Sequence, residues 1–279
     1  MTETARIRRL GYRRMVYRFL LTPRWLGLAV AVLVSAAAAV QLGIWQFDRL
    51  DERRATNVET RANLAADPVP IASLLSAGDG LDPSFEWRAV TATGWYDGAA
   101  ELIVRNQARE AGPGSSILTP LVLGNGEVVL VERGWVSTAG NPTELPDVEP
   151  PPAGQVTVTG WLRPDSGAGP EATEPVDDSV RAIDSARIGS ALGRDLLPGY
   201  IALTGQVPAP DGELDTAVAP DLGQGPHFFY GLQWWFFASL AVVGYLWFAW
   251  SEAHPKPRRG GATAAGTDRD ARAPIGSEG

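Results

Sequence analysis

Two uncharged apolar stretches, residues 26–45 and 228–250, bracket a polar segment of about 180 residues, and this constrains the chain more than any other feature. The first, LGLAVAVLVSAAAAVQLGIW, has 20 residues and a single Gln; the second has 23 residues and no charge. Each is long enough, as a helix, to cross about 30 Å of hydrocarbon. Six of the ten tryptophans (Trp25, Trp45, Trp234, Trp235, Trp247, Trp250) lie at or near the ends of these stretches. Amphipathic rings settle at that level of a bilayer. The competing reading of the first stretch is a cleavable signal peptide, with A-x-A-like sites in 36–39; its apolar core exceeds the usual length of such a segment. Even then the second stretch would hold the protein in the membrane.

Charge follows the same division. Residues 1–25 carry seven arginines and one acid, and Lys256, Arg258 and Arg259 follow the second span. Positive flanks stay on the cytoplasmic side, so both termini are expected there and the middle is expected outside. That middle, 46–227, holds 12 basic and 27 acidic residues, a net charge of −15. Such a surface suits a basic partner patch or simply solubility. The basic N-terminus abuts an apolar helix, so it is no nucleic-acid signal. Cysteine is absent, which excludes disulfides, thiolate metal sites and cysteine nucleophiles.

The middle reads as β-rich. Strand-like patterns occupy 85–96 (FEWRAVTATGWY, with Gly94 as a candidate bulge), 101–107, 117–123, 127–136, 155–163 and 200–207. Gly124-Asn125-Gly126 predicts a hairpin between the third and fourth. Helix is expected over 48–76, at least up to Asn63, with i,i+4-type charge pairs, and over 183–192. Residues 137–154 carry five prolines and read as an extended loop; 164–178, acidic and Gly/Pro-rich, reads as a mobile insertion. The expected fold is a membrane α+β protein. A two-helix transmembrane hairpin (26–45 and 228–250) joins one extracytoplasmic antiparallel β-rich domain (46–227) with one or two short helices. A basic cytoplasmic N-terminus (1–25) and a disordered tail (251–279) flank it. The small residues of the first span (Gly27, Ser35, Ala36 to Ala39, Gly43) suit close helix contact. The bulkier second span offers surface to lipid or to a flat ligand.

No G-x-S-x-G, H-E-x-x-H, Walker loop or G-x-G-x-x-G occurs, and of two histidines only His227 falls outside the tail. The chain therefore reads as no enzyme. His227 stands at the entrance of the second span, followed by Tyr230 one turn on and Trp234 two turns on, all on one face.

Four stretches in order carry a resemblance: LGIWQFDR (42–49), WRAVTATGWY (87–96), VLVERGWV (129–136) and HFFYGLQW (227–234). Their set, spread over about 25–250, resembles the Surfeit locus protein one (SURF) family of cytochrome c oxidase assembly factors. Pro226 stands where that family commonly has Asn, the 164–178 insertion is long and acidic, and the tail beyond 255 has no evident counterpart. The resemblance implies a role in biogenesis of haem-copper oxidase and handling of haem a. It implies as partners the oxidase catalytic subunit or its assembly intermediates, haem a synthase and the lipid bilayer, and no nucleic acid.

Under that resemblance His227 becomes a candidate axial ligand to haem iron, since neutral imidazole is a common one. Tyr230, Trp234 and Trp45 would line the macrocycle, and Arg49 would pair with a propionate. Each has a plainer alternative: His227 as a helix-capping polar residue, the aromatics as interface belt, Arg49 as a salt-bridge partner. In VLVERGWV, Arg133 reads as a strand-end orienter, Gly134 as a bulge and Trp135 as core. A carrier must hold haem firmly enough to protect it and loosely enough to release it, which one axial ligand suits. The alternative function is a structural accessory subunit retained in the mature oxidase or its supercomplex.

Overall fold

The computed structural model describes residues 17–76, 78, 80–138, 148–210, 212 and 214–254. The arginines of 1–16, residues 139–147 of the 137–154 loop and the tail beyond His254 lie outside the described residues. The chain divides into two compact units: Asp48–Gly225, and the chain up to Phe47 together with the chain from Pro226.

Helix α1 runs Pro23–Ala65 as one element, so the first span and the helix expected over 48–76 are continuous, but the helix stops at Ala65, short of 76. Pro23 supplies the preset φ of a first helical position. The next proline is Pro68, and it disfavours helix in the residue before it. Further on lie the short helix α2 (Ser185–Leu192) and the second long helix, α3 (His227–Ala253). Asp184 caps α2 by accepting from the Arg187 N–H, and Gly193 closes it at φ 66°.

Eight strands follow in chain order: β1 (Val69–Pro70), β2 (Ala89–Tyr96), β3 (Leu102–Val104), β4 (Gly114–Leu123), β5 (Val128–Ser137), β6 (Gln155–Arg163), β7 (Ser179–Val180) and β8 (Leu196–Val207). Five of them close a barrel in the order β2-β6-β8-β5-β4, with β4 returning to β2. Strand β6 returns by a long connection to lie beside β2, the Greek-key arrangement. Closure removes the exposed edge that open sheets must protect.

The sheet is not purely antiparallel, contrary to expectation: β5–β8, β1–β2 and β3–β7 pair in parallel. Parallel pairing needs a long crossover, and the chain between β5 and β8 provides one, carrying β6 and α2. Gly94 forms no bulge. The β2–β6 register runs unbroken through it. There β2 meets β4, and a β-carbon on Gly94 would overlap the Val122 carbonyl. The bulge predicted near Gly134 is present, with Arg133 as the extra residue between Glu132, opposite Leu118, and Gly134, opposite Ile117. In the β4–β5 hairpin only Gly126 takes positive φ, at 88°.

Val90, Leu121, Val129, Val131, Val158 and Ile201 fill the barrel interior. Leu118, Leu130, Val180 and Ile188 form a second cluster that brings in β7 and α2. Strand β5 feeds both clusters, so both its faces are buried; this accounts for the uninterrupted run VVLV. The 164–178 insertion is ordered, contrary to expectation. A one-turn helix, Pro170–Thr173, buries Thr173 completely. The Ala172 carbonyl accepts from the Arg181 and Ala182 N–H groups at 2.8 and 2.9 Å. Composition suggested a loose loop; backbone pairing to the segment after it supplies the order.

Candidate functional site

The unit built from the chain up to Phe47 and from Pro226 contains both candidate spans, which are long and apolar enough to cross a membrane. Their large side chains are mostly exposed: Leu33, Val34, Phe229 and Phe236 each show more than 60 % of their surface. The core helix of a soluble domain would bury such residues, so these helices are compatible with a lipid setting.

The two helices meet through paired small and aromatic positions. A β-carbon on Gly43 would overlap the Trp235 indole, and one on Gly231 would lie 2.8 Å from the Phe47 ring. Each helix thus offers a glycine to an aromatic ring of the other. Phe47 also contacts Trp235 and Phe228, with ring centroids 5.0 and 6.1 Å apart. Further along, Trp25 meets Tyr245 edge-on at 5.8 Å. On α3 the contacts fall at 227, 231 and 235, and buried Ala238 continues the row, the spacing of one helical face.

His227 is the first residue of α3, and Pro226 precedes it without a side-chain cap. The Pro226 carbonyl accepts from the Tyr230 N–H at 3.1 Å, which starts the helix. The half-buried imidazole lies with Nδ1 2.9 Å from Oε1 of Gln46. Tyr230 is 47 % exposed and lies one position from the contact row; Trp234 is half-buried and packs edge-on to Phe237 at 6.2 Å. Trp45, 48 % exposed, precedes Gln46 on α1. Arg49 belongs to the other unit, where its Nη1 donates to Oε2 of Glu52 at 2.7 Å. Sequence reasoning passed over Gln46 as a partner. The available signal was a lone amide, at the end of an apolar span, outside any turn or cap.

The β unit holds its own polar cluster. Arg133, only 4 % exposed, donates to Glu101 at 2.7 Å and to the Glu149 carbonyl at 3.1 Å. The Thr119 hydroxyl donates to the same Glu101 oxygen at 2.6 Å. Arg133 is therefore a buried ion-pair residue, not a strand-end orienter. Trp135 is core, as expected, and its indole N–H donates to the Gln107 carbonyl at 2.7 Å. A polar concavity of about 720 Å³ lies along α2, but Asp165 in its wall accepts from the Ser185 backbone and hydroxyl at 2.8 and 2.7 Å. Those bonds anchor α2. Among the described residues no group of three or more His, Asp or Glu side chains is placed to share a metal ion.

The SURF1 family model matches residues 33–239. SURF1-like proteins of Mycobacterium bovis and Mycobacterium tuberculosis are 32 % identical to this chain over 245 residues, covering 86 % of it and 89 % of theirs. A yeast protein, the cytochrome oxidase assembly protein SHY1 of Saccharomyces cerevisiae, is 29 % identical over 97 residues, covering 34 % of this chain and 24 % of its own. The order of motifs, the two apolar helices and the match over most of the length agree: this chain belongs to the SURF1 family.

Proposed function

We propose that this chain is an assembly factor for haem-copper cytochrome c oxidase, holding haem a or steadying the haem-bearing subunit while haem is inserted. It is a two-pass membrane protein with both termini cytoplasmic and the β unit outside. Its partners are the oxidase catalytic subunit or its intermediates, and haem a synthase as the source of the group. The reading draws on family membership and on the role named for the yeast relative. The observation that carries the site is His227, at the start of the second apolar helix, hydrogen-bonded to Gln46.

The donor set fits an iron porphyrin. Imidazole is a common axial ligand, and exposed rings at Phe228 and Tyr230 offer apolar surface next to it. His227 would hold the group through an imidazole nitrogen, and haem would supply an iron centre there. The chain's part is to bind and orient it, with no bond made or broken in the porphyrin.

Purified full-length protein mixed with haem a should give an absorption spectrum that His227→Ala changes, together with weaker binding. An identical spectrum and affinity would remove His227 as ligand. Deleting the gene should yield oxidase poor in haem. If the chain instead co-purified in equal amount with mature, active oxidase, and deletion left haem content normal, the accessory-subunit role would replace this one.

A further inference from the structure

We propose that Gln46 is the positioning residue of His227, holding the imidazole in the Nδ1–H tautomer so that Nε2 keeps its lone pair. This rests on the reading above only for the identity of the ligand; the tautomer itself follows from geometry. A side-chain amide oxygen accepts and cannot donate. With Oε1 of Gln46 2.9 Å from Nδ1, the proton must sit on Nδ1. Which ring nitrogen is free is set by the hydrogen bond the other makes. Among the described residues neither side chain has a second hydrogen-bond partner, so Nε2 is uncommitted.

The pair is built by its neighbours. Phe47 against Gly231 and Trp235 against Gly43 bring the two helices close beside it, one and two turns further along α3. A backbone approach of this kind lets a side chain as short as glutamine reach across. The pair is part-buried, and in such surroundings a hydrogen bond is stronger than in water. A neutral acceptor fixes the tautomer, whereas a carboxylate would also make the imidazole a stronger donor to a metal. The amide therefore suits a site that must later let its ligand go.

The test needs no haem. The full chain has two histidines, so ¹⁵N-histidine labelling in detergent gives two ring systems, assigned by His227→Ala. Spectra are taken at pH about 8, where an ordinary imidazole is neutral. Wild type should show the Nδ1–H pattern for His227. Gln46→Leu should convert it to a mixture of tautomers, and Gln46→Glu should restore Nδ1–H. A wild-type Nε2–H pattern, or a Gln46→Leu spectrum equal to wild type, would overturn the proposal.

With haem a added, Gln46→Leu should weaken binding by about 10–100-fold, and Gln46→Glu should bind at least as well as wild type with a more negative midpoint potential. Equal affinities and potentials in all three proteins would also overturn it. Should wild type bind no haem a at all, the ligand assignment fails while the tautomer spectra still decide the role of Gln46. Gln46→Glu, the conservative variant, keeps the question open to measurement if the leucine variant does not fold.

Discussion

The indole of Trp235 occupies the space into which a β-carbon on Gly43 would project. The ring also lies against Phe47, so it has little freedom to withdraw. Gly43→Val should therefore separate the helices and cost about 1–3 kcal/mol, the range for overpacking. Gly27, on the same helix, has nothing within 4 Å of its would-be β-carbon, and Gly27→Val should be far milder. Thermal melts in one detergent, followed by tryptophan fluorescence, compare the two.

Arg133 and Glu101 form an ion pair whose side chains are 4 % and 17 % exposed. Removing one partner leaves the other charge buried and uncompensated. Arg133→Met should cost about 3–5 kcal/mol. The double variant Arg133→Met with Glu101→Leu should regain most of that loss. Urea titration of the four proteins completes the cycle, and additive effects would contradict the pairing.

Burial, and after it the Glu132 carboxylate, pushes the Tyr200 phenol up to about 12. The unfolded chain releases this proton near the ordinary value of about 10, while the folded chain keeps it. The contribution to stability is therefore complete below pH about 10 and is lost as pH rises through about 12. Burial pushes Tyr96 in the same direction. Urea midpoints measured from pH 9 to 11 should fall, and Tyr200→Phe should make the fall shallower.

Asn57, only 7 % exposed, donates to the Leu222 and Gly223 carbonyls at 2.9 and 3.3 Å. Arg53 Nε donates to Gly223 at 2.7 Å and Arg61 to Leu222 at 3.1 Å. Segment 221–224 is thus held on α1 by side chains. Asn57→Ala should leave the barrel melt nearly unchanged but speed limited proteolysis in 214–224 several-fold. Mass spectrometry of the fragments locates the cut.

The strands were legible where alternation or an apolar run marked them, and all six predicted segments are strands. β1 and β7 were not, because two residues carry no period. Closure of the barrel was hidden too, since Gly94 looks like a bulge until the Val122 carbonyl is seen against it. Arg133 misled because its partner Glu101 is 32 residues away and pairs only through the barrel. At the candidate site, position and residue type singled out His227. Gln46 stayed silent because its significance is a contact across 181 residues, and nothing in a linear pattern reports such a contact.

That separation also fixes an order of events. Synthesis passes the amide early and reaches the histidine only after the last strand, which ends at Val207, has been translated. A chain cut anywhere before residue 227 owns at most the amide. The imidazole can meet its partner only once every strand of the β unit has been made, so the couple joins the two ends of that unit and not neighbours in one segment.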